Sequence, residues 1–173
     1  MTAPFAAALE QAAIAEQDPH ILAIDPGSEL SAFVVYRFGR PILFDKVPNE
    51  ELLGWLRINR HSGRIAVIEW TAPRGMPASA QLFETLWWAG RFAEACRGSR
   101  VERLERAAVK RHLCGTTAAK DSNVIAALID RYGGAGGKEA AVGRKAAPGP
   151  LYGVHYDVWQ ALALAVTWVD LNP

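Results

Sequence analysis

Ile21-Leu22-Ala23-Ile24-Asp25-Pro26-Gly27-Ser28 is the stretch on which the reading of this chain turns. Four consecutive apolar residues make a strand buried on both faces. An acid follows at once, and Pro26-Gly27 supplies the residues of a tight turn. The pattern recurs at Ile65-Ala66-Val67-Ile68, which is all apolar and ends at Glu69. In open α/β sheets, ligands gather outside the carboxyl ends of strands. If these two strands are parallel neighbours, Asp25 and Glu69 converge.

Working outward, Ser31–Arg37 and Pro41–Val47 read as two more strands joined at Phe38-Gly39-Arg40, so that the first three form a meander. A helix opens at Pro48 or Asn49 and reaches Asn59. The segment Pro73-Arg74-Gly75-Met76-Pro77 precedes a long helix over 78–97, with an apolar stripe of Leu82, Phe83, Leu86, Ala89 and Ala93. Val101–Leu104 is the fifth strand. Helices follow over Ala107–Leu113, stopped by Gly115, and from Asp121 or Ser122 to Tyr132. Gly133–Pro150, rich in Gly, Ala and Pro, reads as a mobile loop. A final helix runs from His155 to Asp170. Three strands and then alternating helices and strands imply an α/β fold, a mixed five-stranded sheet flanked by helices. Residues 1–20 form an Ala-rich helical extension that stops at Asp18-Pro19, and residues 21–173 form the main domain.

Composition narrows the function classes. The chain has 173 residues, half of them hydrophobic and 21% charged, which suits one globular domain with a full core. The longest apolar stretch, Val158–Val169, is interrupted by Gln160 and is too short to span a bilayer. No signal peptide is evident at the N-terminus. Cys96 and Cys114 have neither zinc nor redox spacing, so a reducing, cytoplasmic setting is expected. Residues 1–56 carry 3 basic and 8 acidic side chains, whereas residues 57–173 carry 16 and 10. The basic part suits a polyanion partner but does not demand one.

A third acid, Asp157, opens the apolar final helix and is expected near the core. Carboxylates gathered in one place repel one another and resist ionisation, unless a proton, a basic partner or a hard cation intervenes. Mg²⁺ takes oxygen ligands and keeps waters and substrate phosphates in its shell. Carboxylates at strand ends with paired metals about 3.5–4 Å apart form a phosphodiester-cleaving arrangement. Each acid also has a plain structural role: Asp25 as a cap of its own turn, Glu69 as a surface strand end, Asp157 as a partner of the helix dipole. Spacing alone does not choose between the two.

The ordered set of motifs resembles the RuvC-type Holliday junction resolvases of the RNase H-like nuclease superfamily, over residues 21–170. Ile21–Ser28 looks like the family's first-strand signature and Ile68-Glu69 like its fourth-strand acid. Ala107-Ala108-Val109-Lys110, then Gly115, then Ala119-Lys120-Asp121-Ser122, is similar to its basic segment. Ala161–Thr167 is similar to its last helix. Asp-Pro-Gly-Ser alone would also suit sugar-kinase and actin-like folds, but the latter need a second lobe and a second phosphate-binding loop.

The resemblance implies a homodimeric, Mg²⁺-dependent endonuclease, with Mn²⁺ able to substitute, that resolves four-way DNA junctions by paired symmetric nicks. It assigns metal ligation to Asp25, Glu69 and Asp157. The family's fourth ligand position falls on Gln160, which has a neutral oxygen and no charge; His155 is the neighbouring substitute if the helix begins after it. Lys120 is placed at the scissile phosphate, and Lys110 and Arg111 on the DNA. The family's junction-stacking aromatic is replaced by the Ala72-Pro73 neighbourhood, so Trp70 is the candidate to stack on a base. Trp87 and Trp88 are adjacent on a helix and cannot share one face, and one of them suits a dimer interface. The alternative functions are a non-cleaving junction- or DNA-binding module of the same fold and an actin-like nucleotide-binding domain.

Overall fold

The computed structural model describes residues 21–59, 65–71 and 79–173. The proposed N-terminal extension, the Ala72-Pro73 neighbourhood and the Pro73–Pro77 segment lie outside the described residues. Strand β1 (Ile21–Asp25) is central because its side chains are apolar on both faces. It pairs antiparallel with β2 (Leu30–Arg37), which pairs antiparallel with β3 (Arg40–Pro48). On its other side β1 runs parallel to β4 (Ile65–Trp70), and β4 parallel to β5 (Arg100–Glu105). The sheet order is β3-β2-β1-β4-β5, the mixed five-stranded sheet expected.

Parallel neighbours need a crossover, and the helices supply it. Helices α1 (Asn49–Ile58) and α2 (Ala80–Ala95) cover one face, where Leu52, Leu53, Trp88 and Phe92 meet Leu22, Ile24, Phe33 and Ile68. Helices α3 (Arg106–Cys114), α4 (Asp121–Gly133) and α6 (Val158–Leu171) cover the other, with Val109, Leu128 and Leu162 against Ala23, Val34 and Val67. Helix α6 is buried for most of its length, from Val158 to Thr167. Among the described residues no helix is long and apolar enough to cross a membrane. Both cysteines are free thiols.

The turn after β1 is locked from a distance. Gly27 N–H donates to Ser31 Oγ (3.1 Å), Ser31 donates to Asn49 Oδ1 (2.6 Å), and Asn49 Nδ2 donates to the Gly27 carbonyl (3.0 Å). A Cβ on Gly27 would lie 2.2 Å from the Leu30 carbonyl oxygen, so only glycine fits. Ser31 and Asn49 thus satisfy this turn, which frees Asp25 from capping it.

Three expectations are corrected. The segment 133–150 is ordered, not a loop: a 3₁₀ turn (Gly134–Gly136), α5 (Gly137–Ala141) and a minimal hairpin of β6 (Gly143–Arg144) and β7 (Ala147–Pro148). Its glycines permit close packing. A Cβ on Gly149 would lie 2.4 Å from the Ala140 and Ala141 carbonyl oxygens, and Ala141 and Leu151 are fully buried. The stripe of α2 is rotated from the expected one: Trp88, Ala89, Phe92 and Ala95 are buried, while Phe83 is 63% exposed. As adjacency requires, Trp87 is exposed and Trp88 buried. The last helix starts three residues late, at Val158, with Asp157 as its N-cap residue and Tyr156 at φ 43° ahead of it.

Candidate active site

Sheet register builds the site. Asp25 lies opposite Ala32, and Ala32 opposite Lys46. On the other side Ile24 pairs with Ile68 in parallel, which sets Asp25 beside Glu69, and Glu69 pairs with Leu104. Residues opposite one another in a sheet share a face. Lys46, Ala32, Asp25 and Glu69 therefore form a row on the face that α6 covers, at the carboxyl ends of β1 and β4. The N-cap of α6 brings Asp157 to the same row, where it makes an ion pair with Lys46 (Nζ–Oδ2 2.6 Å).

The charges in this row are poorly compensated. Burial pushes the Asp25 carboxyl well above the usual carboxylate range, and Glu69 and Asp157 push it further, against Arg106 and Lys46. Burial also raises Glu69, although Arg106 opposes this by charge and hydrogen bonding. Glu69 is only 8% exposed, so it is not a surface strand end. The Arg106 guanidinium lies 3.3 Å from Glu69 Oε1 and 2.8 Å from Asp121 Oδ2. Lys110 Nζ reaches Asp121 Oδ1 at 3.2 Å. Burial works against the Arg106 cation, but Glu69, Asp121 and Asp25 outweigh it and raise its pKa.

The structure brings Asp25, Glu69, Asp157 and Lys110 into this neighbourhood. Asp157 is not near the core as expected: its side chain is 52% exposed. The buried polar residue is Gln160, three positions on in α6 and 8% exposed. His155 precedes the helix and is exposed, with Nδ1 2.7 Å from the Gly153 carbonyl oxygen. Lys120 is exposed at the N-cap of α4, one residue before Asp121, and its backbone N–H donates to Asn123 Oδ1 (2.9 Å). Arg111 is exposed on α3. Trp70 does not share the acids' face: one residue beyond Glu69, it packs with the α1/α2 core and carries the Arg103 guanidinium over its ring at 4.9 Å. A cavity of 290 Å³ next to the acids is lined by Trp70, Thr71, Glu105, Arg106, Lys110 and Thr117.

Arg106, Asp121 and Lys46 were not among the expected site residues. Arg106 follows the last residue of β5, so the strand-end rule that marks Asp25 and Glu69 also marks it. Lys46 could have been found only from register, since nothing in its local sequence links it to Asp25.

As a donor set, a buried and a partly buried carboxylate with raised pKa values suit a hard divalent cation that would relieve their repulsion. Among the described residues no three His, Cys, Asp or Glu side chains are gathered closely enough to form a ready metal site. Asp157 is held by Lys46 instead. The fit is therefore to a cation held by Asp25 and Glu69, with Asp157 beside it.

No protein-family model and no curated protein sequence matches the chain. Solved structures do. Thermus thermophilus RuvC has a TM-score of 0.55 at 21% identity, covering 86% of this chain and 92% of that one. The chain has the fold of RuvC. A second structure, T. thermophilus RuvC in complex with Holliday junction substrate, gives 0.53 at 20% identity, covering 86% and 91%. The match extends over nearly the whole of RuvC, so the sheet, its flanking helices and their order are shared.

Proposed function

We propose that this chain is a divalent-metal-dependent endonuclease that cuts four-way DNA junctions. The observation that carries the reading is the pair of mutually repelling carboxylates, the partly buried Asp25 and the buried Glu69, side by side at parallel strand ends within a RuvC fold. Asp25 and Glu69 would hold the cation, with Asp157 next to them. When bound, such a cation supplies Lewis acidity and a water of lowered pKa. The chain's own residues do the rest. Arg106 and Lys110 line the cavity beside the acids, where their charges suit a DNA phosphate and offset charge that develops in the transition state. Lys120 is exposed one residue before Asp121, and its ammonium would serve the scissile phosphate. Branched DNA as substrate is supported by the junction-bound RuvC structure. The exposed i, i+4 pair Phe83 and Trp87 on α2 offers an apolar surface for a twofold partner, and a twofold dimer suits paired nicks.

The test is cleavage of a synthetic four-way junction against linear duplex of the same sequence, with and without Mg²⁺. Junction-selective, Mg²⁺-dependent nicking is expected; equal cutting of duplex, or none of either, would sink the reading. A second reading, a junction-binding module that does not cut, is favoured by one feature: Lys46, Arg106 and the neutral Gln160 leave little negative charge for metal. Tight junction binding with no nicking in Mg²⁺ or Mn²⁺ would select it.

A further inference from the structure

Lys46 is the one charged residue of the carboxylate row that the sequence argument does not single out. It comes from β3, an edge strand two strands away from Asp25. Between them lies Ala32, whose methyl group leaves the lysine stem a clear path along the sheet face. The ammonium ends 2.6 Å from Asp157 Oδ2, with 27% of the lysine side chain exposed. It also acts on Asp25, opposing the upward push on that carboxyl. A long cationic side chain thus lies within the acid cluster rather than projecting into solvent, as an edge-strand lysine ordinarily does.

We propose that Lys46 is a positioning residue that stands in for a second divalent cation, so that the site takes one metal ion per chain, held by Asp25 and Glu69. Formal charge supports this. Asp25, Glu69 and Asp157 are opposed by Lys46 and Arg106, which leaves a single negative charge. One divalent ion turns this into a single positive charge, the match for one phosphodiester. Two ions would leave a threefold excess in a partly buried cleft, where the next acid, Asp121, is already paired with Arg106 and Lys110. Gln160 agrees with the count. It is 8% exposed and lies one helical turn beyond Asp157. Where a second cation would need an acid, this chain has a neutral amide and brings an ammonium to Asp157.

The inference rests on the nuclease reading, and the experiment separates the two. Mn²⁺ is titrated calorimetrically into the full chain without DNA, while four-way-junction nicking is measured in parallel. The unmodified chain is expected to bind one Mn²⁺. Lys46→Met, which keeps the stem and removes the charge, should bind a second ion or tighten the first by about tenfold, the scale of one unit charge acting across a partly screened site. Lys46→Arg should retain one ion at the original affinity, a rescue that a merely structural lysine would not predict. Lys46→Thr, a residue suited to an edge strand, repeats the neutral arm independently. Two ions in the unmodified chain, or neutral variants that titrate as it does, would overturn the role of Lys46 and leave the nuclease standing. One ion without nicking would keep the role and remove the nuclease. No Mn²⁺ binding together with no nicking would remove both.

Discussion

Asp25→Asn should stabilise the metal-free protein while it abolishes cutting. Asp25 has its pKa raised by burial and by Glu69 and Asp157, so its ionised form opposes folding. The penalty is absent below about pH 3.9, where the carboxyl is protonated in both the folded and the unfolded chain. It grows as pH rises past that value and is full above the raised folded pKa. Neighbouring parallel strands lie about 4.8 Å apart. Two unit charges at about 5 Å in an effective dielectric of about 20 repel by roughly 3 kcal/mol. Arg106 and Lys46 cancel part of this, which leaves a net gain of about 1–2 kcal/mol for the neutral amide. For a chain of this size that is a rise of about 2–8 °C in Tm. The assay is thermal unfolding by circular dichroism at pH 7.5 in EDTA, repeated with Mg²⁺. The unmodified chain should gain stability with Mg²⁺ by mass action, and Asp25→Asn should gain little. A variant less stable than the unmodified chain in EDTA, or one that nicks junctions at full rate, would refute the electrostatic account of the site.

Other substitutions test other parts. Trp87→Glu should leave the fold intact and yield monomers by sedimentation, because Trp87 is 57% exposed and its neighbour Trp88 carries the core contact; an unmodified chain that is already monomeric would count against paired nicks. Lys120→Ala should slow nicking by about 10²-fold, with little change in thermal stability, since it removes a charge proposed for the scissile phosphate; an unchanged rate would place Lys120 outside the chemistry. Far from the site, Asp170 is held below the usual carboxylate range by Arg131 hydrogen bonds at 2.6 and 2.7 Å and by His112 at 2.8 Å. Its contribution is full above about pH 3.9 and is lost as pH falls through its lowered folded value. Asp170→Ala should cost about 1–2 kcal/mol in urea unfolding at pH 7 and much less at pH 3, and an equal cost at both would assign the effect to packing.

How much of this molecule was legible in its sequence depended on the range of the interaction. Buried strands read correctly because continuous apolar runs such as Ile21–Ile24 and Ile65–Ile68 have few other uses in so short a length. The segment 133–150 misread because its composition is that of a flexible loop. Whether a glycine supplies freedom or close approach depends on what lies against it, and at Gly149 that is the Ala140 and Ala141 backbone. The stripe of α2 misread for a related reason. Phe83, Trp87 and Trp88 are all apolar, and only the packing of Trp88 and Phe92 on the sheet selects which arc faces inward.

The site divides in the same way. Asp25 and Glu69 were legible because strand-end acids are a local pattern and the parallel pairing of β1 with β4 makes it productive. Helix α6 carried a one-turn ambiguity. An apolar run shows that a helix is buried, but it does not show whether His155 or Val158 begins it, and that choice decides whether Asp157 lies in the core or at a half-exposed N-cap. Of the cations that face the acids, Arg106 had only its place after a strand end to mark it, and Lys46 had nothing local. Arg106 and Lys46 reach the acids from strands and helices that are neighbours only through the sheet order, and their sequences look like ordinary surface charge. Under the proposed reading they set the chemistry, because three acids with two cations beside them would need only one divalent ion to match a phosphate. Gln160→Asp measures that balance. It adds one acid where the count leaves none for a second ion, so it should lower the Mg²⁺ concentration that supports nicking and reduce stability in EDTA, since a buried acid is costly without a cation. A folded variant with an unchanged Mg²⁺ requirement would place Gln160 outside the metal's reach and leave Asp157, held by Lys46, as the helix's only contribution to the site.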